Sequence, residues 1–222
     1  MTRYRYISTG ERVDNITDWA LKQFRDRYAD PSISKDDIFA YCYAALHDPI
    51  FRDTHAADLR REFPRVPLYP DFSQWRDWGE ALLKLHIDYE KAKPFKLTRT
   101  DTPKILPGTG RGTGEAGGGV PRPILRSLPD QGTVLIDSET QLTGIPPEAW
   151  TYRLGNRSAI DWVLDQHKEK TPRDPTIRAK FNTYRFADHK EEMIKLLAKV
   201  VTVSLETIAV TDAMRDLPRD TK

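Results

Sequence analysis

From Asp188 to Met214 apolar side chains return every three or four residues: Met193, Leu196 and Leu197, Val200 and Val201, Leu205, Ile208 and Met214. That is the period of an α-helix with one apolar side, and it is the strongest periodic segment in the chain. Asp188 followed by Glu191 reads as the capped start of this helix. A helix with such a stripe gains most of its stability by packing, so the rest of the chain has to supply a partner surface.

The first hundred residues offer several partners. Asn15 or Thr17 can cap a helix carrying Ile16, Ala20, Phe24 and Arg27/Tyr28, which ends before Asp30-Pro31. Ser34 with Asp37 three residues on reads as a capping box, opening a helix with Ile38, Cys42, Ala45 and Leu46 on one side. His47-Asp48-Pro49 stops it. A third helix is expected over about 50–61, with Phe51, His55 and Leu59 beside Arg52, Arg60 and Arg61, until Pro64 and Pro67 break it. From Asp71 to Lys91 the series Trp75, Trp78, Leu82, Leu85 and Tyr89 predicts a long amphipathic helix. Aromatic residues at helical spacing usually pack, so Trp75 and Trp78 are read as core or subunit contacts and not as base-stacking groups.

Residues 101–123 are rich in Pro, Gly and Thr and nearly free of large apolar side chains, the signature of a loop or linker. Beyond it, Ile124-Leu125-Arg126, Val134-Leu135-Ile136 and Gln141-Leu142 read as short strands separated by Pro129-Asp130 and Asp137-Ser138 turns. A helix from about Arg157 to His167 presents Ile160, Val163 and Leu164. The expected fold class is α+β, predominantly α: a helical bundle with a small antiparallel sheet between two helical halves. Residues 1–100 form the N-terminal helical part, 101–123 a linker, and 124–222 the sheet and closing helices, packed with 1–100 as one unit.

The composition fits a folded chain: 38% of the residues are hydrophobic and 10% aromatic, beside 31% charged, more apolar and aromatic surface than a disordered chain carries. Cys42 is the single cysteine, so no internal disulfide forms, and no His/Cys cluster has zinc-ligand spacing. Met1-Thr2-Arg3-Tyr4-Arg5-Tyr6 lacks a signal-peptide core and no run of about 18 apolar residues occurs, which points to the cytoplasm and away from membranes. The net charge of +2 is small but uneven. Residues 95–127 hold six Lys/Arg against two Asp/Glu, and residues 166–186 repeat that ratio. Clustered cations of this kind suit phosphates, although on loops they often only solvate.

Motifs for chemistry fail on context. Gly112-Thr113-Gly114-Glu115-Ala116-Gly117 has the spacing of a dinucleotide loop but lies between Pro107 and Pro121-Arg122-Pro123, without the strand and helix that motif requires. No phosphate loop for ATP is present. Asp188-His189-Lys190 has the acid-x-lysine spacing of metal-dependent nucleases, yet Asp188 stands where a helix needs a cap. No nucleophile set can be built from His47, His55, His86, His167 and His189. The chain is therefore read as non-catalytic, with no metal and no cofactor.

Several phrases in order are more distinctive: Asn15-Ile16-Thr17-Asp18-Trp19-Ala20-Leu21, Asp37-Ile38-Phe39-Ala40-Tyr41, Ala56-Ala57-Asp58-Leu59-Arg60-Arg61-Glu62, Leu85-His86-Ile87-Asp88-Tyr89-Glu90, Gly144-Ile145-Pro146-Pro147-Glu148-Ala149-Trp150, Tyr152-Arg153-Leu154-Gly155-Asn156-Arg157-Ser158-Ala159 and Val200-Val201-Thr202-Val203-Ser204-Leu205. Together they resemble the C-terminal specificity region of type ISP restriction-modification enzymes, single polypeptides that join a nuclease, a helicase-like ATPase, an adenine methyltransferase and a target-recognition region. The glycine-rich residues 101–123 depart from that pattern.

The resemblance implies sequence-specific recognition of double-stranded DNA in partnership with a methyltransferase, helicase and nuclease polypeptide. Arg153, Asn156 and Arg157 become candidates for DNA contact, with Lys168, Lys170, Arg173, Arg178 and Lys180 as phosphate contacts and Arg65 as a further candidate. Asn156 is equally a candidate cap for the helix beginning at Arg157. Two other readings stay open: a helical module docking on a methyltransferase subunit through the closing helix and the Trp75/Trp78 helix, and an inactive remnant of a truncated gene.

Overall fold

The structure, a computed structural model, describes residues 3–101, 121–169, 176 and 184–219. It is α+β with helix predominant, and it divides into two compact units: Met1–Asp88 with Ala209–Lys222, and Tyr89–Ile208.

The first unit opens with an antiparallel hairpin, β1 (Tyr4–Tyr6) and β2 (Arg12–Asp14), and continues through four helices. Helix α1 (Asp18–Tyr28) is capped by Thr17, whose hydroxyl accepts the Ala20 N–H at 3.1 Å. Helix α2 (Lys35–Ala45) has the expected capping box, with Ser34 accepting the Asp37 N–H at 3.2 Å and Asp37 accepting the Ser34 N–H at 2.7 Å. Helix α3 (Pro49–Thr54) is shorter than its sequence pattern. Only Phe51 is buried on it, too little to hold further turns in place, and the chain relaxes into a 3-10 turn at Asp58–Arg60. Helix α4 (Phe72–Ile87) starts at the Asp71 cap.

Aromatic packing dominates this core. Tyr41 is fully buried, and its hydroxyl accepts the Tyr69 N–H at 2.6 Å while donating to the Pro67 carbonyl at 2.8 Å, so one side chain pins an extended strip of backbone. Trp75 stacks on Tyr69 with ring centroids 4.2 Å apart and meets Trp78 edge-on at 5.4 Å, which makes both tryptophans packing residues. Helices α2 and α4 touch through backbone: a Cβ at Gly79 would lie 1.8 Å from the Ala40 carbonyl oxygen. Beneath them Asp48, 0% exposed, receives Arg219 through two bonds of 2.9 Å, the Tyr69 hydroxyl at 2.7 Å and the Ile50 N–H at 3.0 Å.

The second unit is built on a four-stranded antiparallel sheet in the order β3-β6-β5-β4, comprising β3 (Thr98–Asp101), β4 (Pro123–Leu128), β5 (Thr133–Asp137) and β6 (Thr140–Thr143). The last three lie where the sequence predicts strands. The edge strand β3 is polar and carries no apolar alternation, so it escapes a hydrophobic reading. Val134, Ile136 and Leu142 turn to one face, where Ile160, Val163 and Leu164 of helix α5 (Ala159–Gln166) and Met193, Leu197 and Val201 of helix α6 (Phe186–Ala213) complete the core. Helix α6 begins two residues earlier than expected. The Phe186 N–H is taken by the Glu169 carboxylate at 2.9 Å, which leaves Asp188 in the first turn and not at the cap. Residues of α6 through Ile208 belong to this unit and those from Ala209 to the first. The β5–β6 turn is closed by Asp137, which accepts the Glu139 and Thr140 N–H groups at 2.9 and 2.7 Å and the Lys190 ammonium at 2.7 Å. Burial works against its charge, yet the Lys190 contact and these two amides hold its carboxyl below the usual range.

Candidate functional site

Between the sheet and α5 the chain forms a tight hairpin, β7 (Arg153–Leu154) paired with β8 (Arg157–Ser158). Gly155, at φ +67°, supplies the left-handed turn that other residues adopt only under strain. The Arg153 guanidinium donates across the hairpin to the Asn156 carbonyl. The structure decides the capping question against Asn156. Ser158 accepts the Asp161 N–H at 3.0 Å, so α5 starts at Ala159 and Asn156 stays in the hairpin turn. Asp161 in turn receives the Ser158 and Ser127 hydroxyls at 2.7 and 2.5 Å, tying helix α5 to strand β4.

These elements surround an open groove of about 580 Å³. Arg153, Asn156, Arg157 and Lys168 all line it, joined by Arg126 from β4, with Trp150 and Leu164 as apolar lining and Asp161 and Asp165 as the carboxylates. Four cations against two carboxylates leave the lining at +2. Arg157 bonds Asp165 at 2.5 Å, and Lys168 approaches the same carboxylate at 3.3 Å. The Arg157 bond first, and then Lys168, hold the Asp165 carboxyl below the ordinary carboxylate range, so it stays charged and keeps both cations at the rim. The arrangement presents three planar guanidinium groups on short strands and an ammonium just past the end of α5, a geometry suited to planar, bidentate acceptors and to phosphate.

The remaining candidates do not join this group. Lys170, Arg173, Arg178 and Lys180 lie outside the described residues. Arg65 belongs to the first unit, where its side chain is 93% exposed beside Glu62 and lines a separate pocket with Phe51, His55 and Phe63. Arg126, Asp161 and Asp165 are the charged groove residues that sequence reasoning passed over. Asp165 carries a readable signal, since it stands three residues before Lys168. For Arg126 the only signal was its membership of a basic stretch, because the face of a short strand depends on pairing register. Among the described residues no three His, Cys, Asp or Glu side chains gather to hold a metal ion, and no helix is long and apolar enough to cross a membrane.

Comparison with known proteins agrees with this architecture. The DrdV–DNA complex determined by cryo-EM contains a region similar to 99% of this chain at 51% identity and a TM-score of 0.85, amounting to 21% of that chain. The ATP-dependent type ISP restriction-modification enzyme LlaBIII bound to DNA is similar over 98% of this chain at 21% identity and a TM-score of 0.67, or 13% of its own length. A nuclease-deletion mutant of the type ISP enzyme LlaGI in complex with a DNA substrate mimic matches over 99% at 24% identity and a TM-score of 0.64, or 18% of its length. The last two likenesses speak for the fold. This chain thus corresponds to about a fifth or less of each of these polypeptides. Curated protein sequences return no match. Residues 1–196 fit the family model of the type ISP C-terminal specificity domain, and the chain belongs to that family.

Proposed function

We propose that this chain recognises a specific sequence in double-stranded DNA through the groove of its second unit, and that it makes no bond-breaking contribution of its own. The observation that carries this reading is the meeting of Arg126, Arg153, Asn156, Arg157 and Lys168 around one open groove. Lysine and arginine bound to phosphate fix register on a duplex, while arginine and asparagine forks match the paired acceptors and donors on base edges. The DNA-bound state of the DrdV complex, 51% identical over this chain, supports the same ligand. The partner, on this reading, is a polypeptide carrying methyltransferase, helicase and nuclease activities, in the cytoplasm where such DNA is met.

The test is fluorescence anisotropy of the full chain with labelled duplex over a salt series. Displacement of phosphate counterions makes affinity fall steeply with salt, and replacing Arg153, Arg157 and Lys168 together by alanine is expected to lower affinity at least ~10-fold and flatten the salt slope by about 2–3. A folded chain that ignores duplex at low salt, or a triple variant that binds unchanged, overturns the proposal.

A further inference from the structure

Strand β4 reaches the groove through an irregularity. Pro123 pairs with Asp137, and an unbroken antiparallel ladder from that pair would set Arg126 opposite Val134, which is 0% exposed and faces the core. The strand instead carries one extra residue between Pro123 and Arg126, so Arg126 pairs with Leu135 and emerges on the exposed face. The extra residue is accommodated at Leu125, which is 3% exposed and sits at φ +46°, a left-handed conformation that a branched side chain adopts only under strain. A bulge of this kind serves to re-aim a side chain, and strain of this kind persists where the surrounding structure enforces it for use.

The side chain so delivered differs from its neighbours. Arg153 is engaged by the Asn156 carbonyl, and Arg157 and Lys168 by Asp165. Among the described residues Arg126 alone of the groove cations has no hydrogen-bond or ion-pair partner. Its strand is anchored by Ser127 on Asp161, so the backbone that presents the fork is tied to α5 while the fork itself is open.

Resting on the proposed function of the groove, we infer that Arg126 is a specificity-determining residue that reads a guanine in the major groove, its guanidinium donating to O6 and N7. Arg157 and Lys168, already neutralised in part by Asp165, hold the phosphates. The experiment is selection of bound duplexes from a randomised library by the full chain and by its Arg126→Ala and Arg126→Lys variants, followed by affinity measurement on the selected and on scrambled duplexes. The wild-type chain is expected to enrich a motif containing a fixed G·C pair that becomes degenerate with Arg126→Ala, with the selected duplex bound ~5- to 150-fold more weakly and the scrambled one nearly unchanged. Arg126→Lys retains the charge but not the fork, and is expected to lose the same position. A motif unaltered in both variants, or an equal loss on selected and scrambled duplexes, overturns the assignment and makes Arg126 a phosphate contact or a bystander. Failure of the wild-type chain to enrich any motif overturns the proposed function itself.

Discussion

In the first unit the carboxylate of Asp48 is sealed from solvent and matched by Arg219, Tyr69 and a helix amide, whereas in the second unit Arg126 is carried out of the sheet by a bulge and meets no described partner. The same guanidinium group serves opposite ends. Buried against a carboxylate it locks the segment after α6 onto α3, and exposed on an edge strand it is available to a ligand. A count of cations along the chain cannot separate these cases, because the distinction lies in partners contributed from 171 residues away or from the neighbouring strand.

The sharpest break falls on the first unit. Gly79→Ala drives a methyl group against the Ala40 backbone at a distance no rotamer can relieve, so α2 and α4 must separate. A loss of about 4 kcal/mol is expected, above the usual overpacking cost because the obstacle is main chain. Urea denaturation of the variant should show it, and near wild-type stability would mean that the two helices do not touch as described. Arg219→Ala comes next. Removing the charged partner of a carboxylate at 0% exposure, which then keeps only the Tyr69 hydroxyl and the Ile50 amide, is expected to cost about 3 kcal/mol, the lower end of the range for breaking a buried pair. Pairing it with Asp48→Asn in a double-mutant cycle should recover part of that loss, and strict additivity would deny the coupling.

Acid probes the same unit more gently. The Tyr43 hydroxyl and His86 Nδ1 hydrogen-bond at 2.7 Å, with the His47 ring centroid 5.4 Å from that of His86. Burial, followed by the nearness of His47, pushes His86 down to about 4, and burial with the charge of Arg52 lowers His47 as well. The folded state therefore binds protons less readily than the unfolded state, whose histidines titrate near about 6.5. Stability is complete above that value and declines as pH falls toward about 4, by about 2 kcal/mol once the partial solvent access of the ring is allowed for. Denaturation midpoints at pH 7, 5 and 4 should trace this window, and His86→Gln should flatten it. A midpoint unchanged down to pH 4 would show the ring to be solvated.

Local chemistry explains what was legible beforehand. Thr17 and Ser34 with Asp37 sit next to the helices they start, so their caps follow from the order of residues. Val134, Ile136 and Leu142 alternate as a half-buried sheet demands. Strand β3 did not declare itself, because Thr98-Arg99-Thr100-Asp101 gains its structure from β6 and from Glu191, which receives Arg99 at 2.8 Å. The start of α6 was misread for a similar reason: its cap, Glu169, comes from 17 residues upstream. Within the groove, Arg153, Asn156, Arg157 and Lys168 were legible through a phrase and its flank, but Arg126 needed the bulge to be seen.

The smallest expected effect refines the contrast between locked and available cations inside the groove. Asp165 lies on the surface of α5 and ties up both Arg157 and Lys168, so Asp165→Asn should release the two without disturbing the fold. If the pair only shields charge, affinity for scrambled duplex rises about two- to fivefold and the salt dependence steepens by about one, since one more phosphate is neutralised. If the pair also aims Arg157, the selected duplex gains less than the scrambled one and discrimination narrows. Equal gains on both duplexes would mean that Asp165 tunes field strength alone, while no change on either would show that Arg157 and Lys168 exchange Asp165 for phosphate at no net cost.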